Sequence, residues 1–403
     1  MKHLHLILLG LSIANALSSQ SWTQIDIGKT ETLNKVYFKN DTTGFIVGDN
    51  GLLLITTDSG NTWDTITTNT LHDLRTISFA NDEVGYINGL KTTDGGASWT
   101  SQPSSEIYGF MYAYDESRIM AGHGSSFDGT IYESIDGGLS WLPHWGFGGL
   151  TMFNDCAFLN QDEGYLSSWY AGHLFKTTDA GANWTEVVID EVDGNGWISD
   201  DYLSVAFPSR DTLLVTHEDG LLITFDAGST WSEIKPEGAI SNFYPTSVIV
   251  LGSDSYLLAN RGNNPLLASP RIYETSDGGT NWIASANTTE SIFDVACNST
   301  YCFAVGSNGT VYRKEKITTG TSTPEIAESF NIAVVPNPVQ KALKIICPKE
   351  ITEVRIYNAV GQYHYCILSH YDGIEVSHLK PGLYFIEVIS SNGEIATSKF
   401  IKE

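Results

Sequence analysis

The pattern S/T-x-D-x-G-x-x-W occurs six times in this 403-residue chain, with its aspartates at Asp58, Asp94, Asp136, Asp179, Asp226 and Asp277. The closing tryptophans are Trp63, Trp99, Trp141, Trp184, Trp231 and Trp282. Each part of the pattern has a mechanical reason. Glycine accepts a positive φ, so the chain can reverse sharply. The aspartate takes backbone N–H groups of the reversal onto its carboxylate, as Asx-type turns do. The tryptophan then buries a large apolar surface between adjacent sheets. Turn geometry accounts for these aspartates without assigning them as acids or metal ligands.

The same strand order recurs around each turn. In the first unit, residues 35–38, 44–47 and 52–55 read as three strands, and 63–66 follow the turn as a fourth. Four antiparallel strands per 36 to 51 residues is the spacing of a propeller blade. A seventh unit runs through 293–296, 302–305 and 310–312, then stops without the turn or a fourth strand. Residues 21–25 supply the missing strand, with Trp22 where a closing tryptophan would fall. Joining it to the last unit removes an open sheet edge. The expected fold is all-β: a seven-bladed β-propeller of four-stranded antiparallel blades, with six or eight blades as the alternatives, followed by a small C-terminal β-sandwich.

The formal charge is −25, and it is uneven. Residues 331–403 hold seven basic and seven acidic groups. Without them and Lys2, 14 basic groups face 40 acidic ones, a net charge of −26. Such a body repels phosphate backbones and anionic lipid, which argues against nucleic-acid or membrane-surface partners. Lys2, the apolar run 4–13 and Ala14-Asn15-Ala16 read as a signal peptide over 1–16. That run is too short to span a bilayer, and no later segment is long enough. The five cysteines are few for an exported chain. Cys297 and Cys302 flank a hairpin tip and could bridge, Cys347 could pair with Cys366, and Cys156 would then be a buried thiol.

From Trp22 to about Lys316 the chain resembles Asp-box (BNR) propellers. That group includes sialidases, xyloglucanases, sortilin-type receptors and the photosystem II assembly factor. The short units, with Gly-Phe or Gly-Tyr in the second strand, look most like the last. The body has six arginines and lacks that family's arginine patch, so the resemblance implies architecture. The domain therefore spans 17–316. A polar linker, 317–330, leads to 331–403, where Val335-Pro336-Asn337-Pro338 and Leu379-Lys380-Pro381-Gly382-Leu383-Tyr384 appear. This segment resembles the type A C-terminal sorting domain of the type IX secretion system. The resemblance implies a sandwich read by the secretion machinery, a Bacteroidetes-like source, and a mature protein released or held at the outer-membrane surface.

In a four-stranded meander, first–second and third–fourth connections share one face of the disc, and the remaining loops share the other. The aspartate turns take the first face. The long loops 122–129, 144–153, 167–173, 191–201 and 260–270 take the second. That face is expected to carry His123, His144, Trp145, Trp169, Tyr170, His173, Trp197, His217 and Arg261 as a recognition surface for protein or glycan. The competing reading is that these rings pack the loops onto the disc. The histidines lack metal-ligand spacing, and no cofactor signature is present. Residues 191–202 resemble a calcium loop, but Glu191 opens it and Tyr202 replaces the closing glutamate, so a solvated acidic turn fits better. Nothing matches a glycosidase template: the sialidase Arg-Ile-Pro signature is missing, although a carboxylate pair such as Asp128 with Asp193 remains open. The reading is an exported binding or scaffold propeller, with glycoside hydrolase and extracytoplasmic assembly factor as alternatives.

Overall fold

The computed structural model describes residues 21–103, 108–123, 129–147, 151–169, 173–189, 203–217, 220–234, 243–252, 254–261, 270–316, 332–349, 351–358, 363–367, 372–377, 379–390 and 395–403. The chain divides into two compact units, Met1–Ile317 and Thr318–Glu403. The expected signal peptide lies outside the described residues.

Seven four-stranded antiparallel sheets occur among the described residues of the first unit. Sheets 1 to 6 are meanders over residues 33–66, 77–101, 108–146, 152–187, 204–234 and 245–287. Sheet 7 combines residues 292–315 with Thr23–Ile25, which pairs antiparallel with Val311–Glu315. The first strands touch one another from sheet 2 through sheet 7 and on to sheet 1, so they line the axis.

Apolar residues fill every gap between neighbouring sheets. Ile46 and Leu54 of sheet 1 meet Phe303 and Val305 of sheet 7. Phe45 and Leu53 on the other side of sheet 1 meet Ile77 and Trp99 of sheet 2. Like clusters join 2 to 3, 3 to 4, 4 to 5, 5 to 6 and 6 to 7. A strand with a neighbour on each face must be apolar on both, which explains wholly buried second strands such as Gly44–Gly48 and Leu213–His217. The cycle of interfaces is closed, and this is a propeller. Trp22, 8% exposed, packs in the gap between sheets 6 and 7. Its Nε1 donates to Glu274 Oε1 at 3.0 Å and Ser285 Oγ at 2.9 Å.

The second unit places a three-stranded sheet (Ala333–Val335, Ala342–Ile346, Asp372–Glu375) and a four-stranded sheet (Ile351–Asn358, Tyr363–Ile367, Gly382–Ser390, Ile395–Lys402) around one core. Leu343, Ile345 and Ile374 from the first meet Val354, Ile386 and Phe400 from the second. Cys297 and Cys302 are disulfide-bonded. The pairing of Cys347 with Cys366 that the spacing left open is not formed. Cys347 is a free, half-buried thiol just past the three-stranded sheet, and position 366 lies on the edge strand of the other. Among the described residues no helix is long and apolar enough to cross a membrane.

Candidate functional site

All six aspartate turns are built alike. The Ser or Thr hydroxyl that opens each turn donates to one aspartate oxygen at 2.7–2.9 Å. The backbone N–H four residues after the aspartate donates to the same oxygen at 2.7–2.9 Å. The side chain of that residue takes the other oxygen at 2.5–2.8 Å. These bonds favour the ionised form. They hold Asp94 and Asp136 at about 2, and the other four below the ordinary carboxylate value. Each turn is tied to the first–second connection of its own sheet, for example through Ser59 N–H to Thr42 O at 2.9 Å and Gly278 N–H to Asp254 O at 2.8 Å. The turns therefore share one face.

Cations from the neighbouring sheet close four of these turns. Lys39 Nζ donates to Gly95 O at 3.0 Å, Lys91 Nζ to Gly137 O at 3.1 Å, and Arg118 Nη2 to Ala180 O at 2.9 Å. Arg313 Nη1 reaches Asn61 Oδ1 at 3.0 Å, which joins sheet 7 to sheet 1. These four basic side chains are thus engaged as inter-sheet clamps.

The expected recognition residues separate into three groups. His144 does not belong to the opposite face. It sits in the outer strand Leu142–Gly146, with Nε2 3.0 Å from Gly181 O in an aspartate turn and Nδ1 3.2 Å from Glu133. A register shift in that strand turns the ring towards the gap with sheet 4. Trp145, His173, His217 and Arg261 sit at or beside the strand ends that lead into the second–third and inter-sheet connections. Tyr170 and Trp197 lie outside the described residues, as do the side chains of His123 and Trp169 at the ends of their strands.

The opposite face has an aromatic centre between sheets 3 and 4. Phe147, 39% exposed, lies 4.6 Å from the His173 ring and 4.8 Å from Phe175. Trp145 is half-buried beneath it, 5.2 Å from Phe175 and 6.1 Å from Phe153. His173 Nδ1 is held by Glu186 at 2.6 Å. Trp145 therefore follows the packing alternative, and the residue presented to solvent is Phe147, which sequence reasoning missed. Around the rim, Arg261 stacks on Tyr244 at 4.1 Å. His217, 3% exposed, is part of the core.

A second polar concentration lies on the axis. Asp294 accepts Val36 N–H at 3.0 Å and Ser247 Oγ–H at 2.8 Å, linking sheets 6, 7 and 1. Asp155 Oδ2 accepts Ser204 Oγ–H at 3.0 Å and Val205 N–H at 3.3 Å, linking sheets 4 and 5. Lys35, on the first strand of sheet 1, places Nζ 3.9 Å from Asp155 Oδ1. Burial works against the Lys35 ammonium, yet Asp155 and Asp294 keep its pKa above the usual lysine value. Burial raises Asp294 and pushes the Cys156 thiol well up, so that cysteine is not an activated nucleophile. The sequence signal for this layer was a charged residue at the same register of otherwise apolar first strands. Among the described residues no group of three or more His, Cys, Asp or Glu could hold a metal ion.

Comparison with known proteins agrees with this architecture. Residues 14–143 and 149–323 match the family described as photosynthesis system II assembly factor YCF48. Residues 333–403 match the secretion system C-terminal sorting domain. No curated protein matches the chain. Among solved structures, YCF48 bound to D1 peptide is 17% identical with a TM-score of 0.60, over 75% of this chain and 99% of that one. PorZ, an essential bacterial surface component of the type-IX secretion system of Porphyromonas gingivalis, is 13% identical with a TM-score of 0.55, over 91% of this chain and 59% of that one. The GH74 xyloglucanase of Xanthomonas campestris is 13% identical with a TM-score of 0.57, over 94% and 68%. At these identities the likeness is one of fold. The sorting domain marks the protein for type IX export to the cell surface or beyond. The chain belongs to the YCF48-like family of photosystem II assembly factor propellers and carries a type IX C-terminal sorting domain.

Proposed function

We propose that this protein is an exported recognition propeller that binds a protein or glycan segment through the face opposite its aspartate turns. The observation that carries this reading is Phe147: an exposed ring braced by His173, Phe175 and Trp145 on loops set by a rigid scaffold. A pre-positioned ring stacks on a sugar face or an apolar side chain with little ordering cost. Arg261 over Tyr244 supplies a second, cationic contact on the same face. The YCF48 structure bound to a peptide supports this use of the fold by example. The 17–316 body is the mature recognition domain, 317–330 the linker, and 331–403 the detachable address.

The experiment is capture of the labelled mature chain on a combined glycan and peptide array. Retention of a defined class of glycan or peptide is the expected result. Turnover of sialosides or β-glucans would instead move the protein to the glycoside hydrolases.

A further inference from the structure

The axial cavity has a volume of about 320 Å³ and runs along the first strands of sheets 1 to 4. Its polar wall carries Lys35, Thr76, Ser78 and Asp155, and its aromatic wall carries Tyr37 and Tyr112. The hydrogen bonds here are unevenly distributed. Asp155 Oδ2 is engaged by Ser204 and Val205, and both oxygens of Asp294 are engaged by Val36 and Ser247. Among the described residues, Lys35 Nζ has no hydrogen-bond acceptor, and Asp155 Oδ1 has no donor closer than that ammonium at 3.9 Å. The two atoms belong to sheets 1 and 4, which are not neighbours, so the pair spans the channel.

We propose that this cavity is a binding site for a neutral hydroxylated ligand of monosaccharide size. A hydroxyl oxygen placed about 2.8 Å from both atoms would accept from Lys35 Nζ and donate to Asp155 Oδ1. A hydroxyl completes both at once without adding charge. A carboxylate would satisfy the lysine but face Asp155 and Asp294, and an ammonium would face Lys35. A neutral polyol leaves the charge of the site unchanged. The Tyr37 and Tyr112 rings, each fixed by stacking on Phe79 and Phe158, give the apolar wall on which a sugar ring packs. Thr76 and Ser78 offer further hydroxyl partners. This site is separate from the Phe147 rim, and neither depends on the other.

Met111 lines the cavity, whereas Met120 is buried between sheets 3 and 4 and Met152 begins the first strand of sheet 4. The test is a titration of the mature, methyl-¹³C-methionine-labelled protein with D-glucose, D-galactose, D-mannose and N-acetyl-D-glucosamine, with sodium acetate alongside. The proposal expects at least one sugar to move the Met111 methyl signal saturably, with Kd on the order of millimolar, while Met152 stays fixed. Lys35→Gln should weaken that response about tenfold, the size of one hydrogen bond to a charged group. Should that variant fail to fold, the wild-type titration decides alone. No response to any of the four sugars overturns the proposal. So does a response to acetate only, or a sugar response that folded Lys35→Gln leaves intact.

Discussion

Ring closure rests on one side chain to a degree that can be worked out in advance. Trp22 precedes the strand that completes sheet 7, and its indole fills the gap against Leu257, Ala259 and Ile272 of sheet 6. Replacing a buried tryptophan by alanine costs about 3–5 kcal/mol through lost transfer energy and the cavity left behind. The lost bond to Glu274 adds little, because Lys314 Nζ still donates to both oxygens of that carboxylate, at 2.8 and 2.6 Å. Trp22→Ala should therefore cost about 4 kcal/mol, a large share of the ~5–15 kcal/mol typical of a folded protein. At about 2–4 °C per kcal/mol for domains somewhat smaller than this one, melting should fall by roughly 8–16 °C. Trp22→Phe retains most of the apolar contact and loses the N–H bonds, so its cost should be near 1 kcal/mol. Circular dichroism melts of the two variants beside wild type measure both quantities. If Trp22→Ala melted within about 2 °C of wild type, or if Trp22→Phe were as damaging, the closing strand would not be held as described.

The aspartate turns predict an acid sensitivity. Their folded pKa values are depressed, to about 2 for Asp94 and Asp136, so their stabilisation is complete above the unfolded value near ~3.9 and lost as pH falls through the folded one. Denaturant midpoints between pH 5 and pH 2 should drop, with a smaller drop in Asp94→Asn; a flat profile would contradict the bonding pattern. The glycines of these turns predict a backbone effect. Gly96 has φ 97°, and a Cβ there would stand 2.3 Å from the Phe45 ring. Gly96→Ala should then destabilise by about 1–3 kcal/mol in a denaturant melt, and a neutral or stabilising result would refute the strain.

Much of the architecture was legible because a blade cannot bury its faces alone, so the sequence must repeat the turn each time. The 36 to 51-residue period, the truncated last unit and Trp22 together led to the ring and its closing strand. Loop parity placed the aspartate turns on one face for the same mechanical reason. Side-chain direction within the rim was not legible. His144 and Trp145 are adjacent and would face opposite ways in a regular strand, yet a register shift turns both towards sheet 4, His144 onto an aspartate turn and Trp145 into the aromatic cluster. Phe147, two residues on, was overlooked because an aromatic next to glycines gives no sign of whether its ring is covered. The axial layer was missed for a different reason. Lys35, Asp155 and Asp294 are far apart in the chain, and only the shared register of their strands brings them to one axis.

The recognition face is tested most directly by two substitutions on opposite sides of the disc, each assayed against whatever ligand the array retains. Phe147→Ala removes the exposed ring of the loop face, and Ile135→Ser alters a still more exposed apolar side chain within an aspartate turn. Capture should fall at least about tenfold for Phe147→Ala, the loss typical of a buried anchor at an interface, and stay unchanged for Ile135→Ser. Full capture by folded Phe147→Ala, or loss confined to Ile135→Ser, would show that the ligand sits elsewhere.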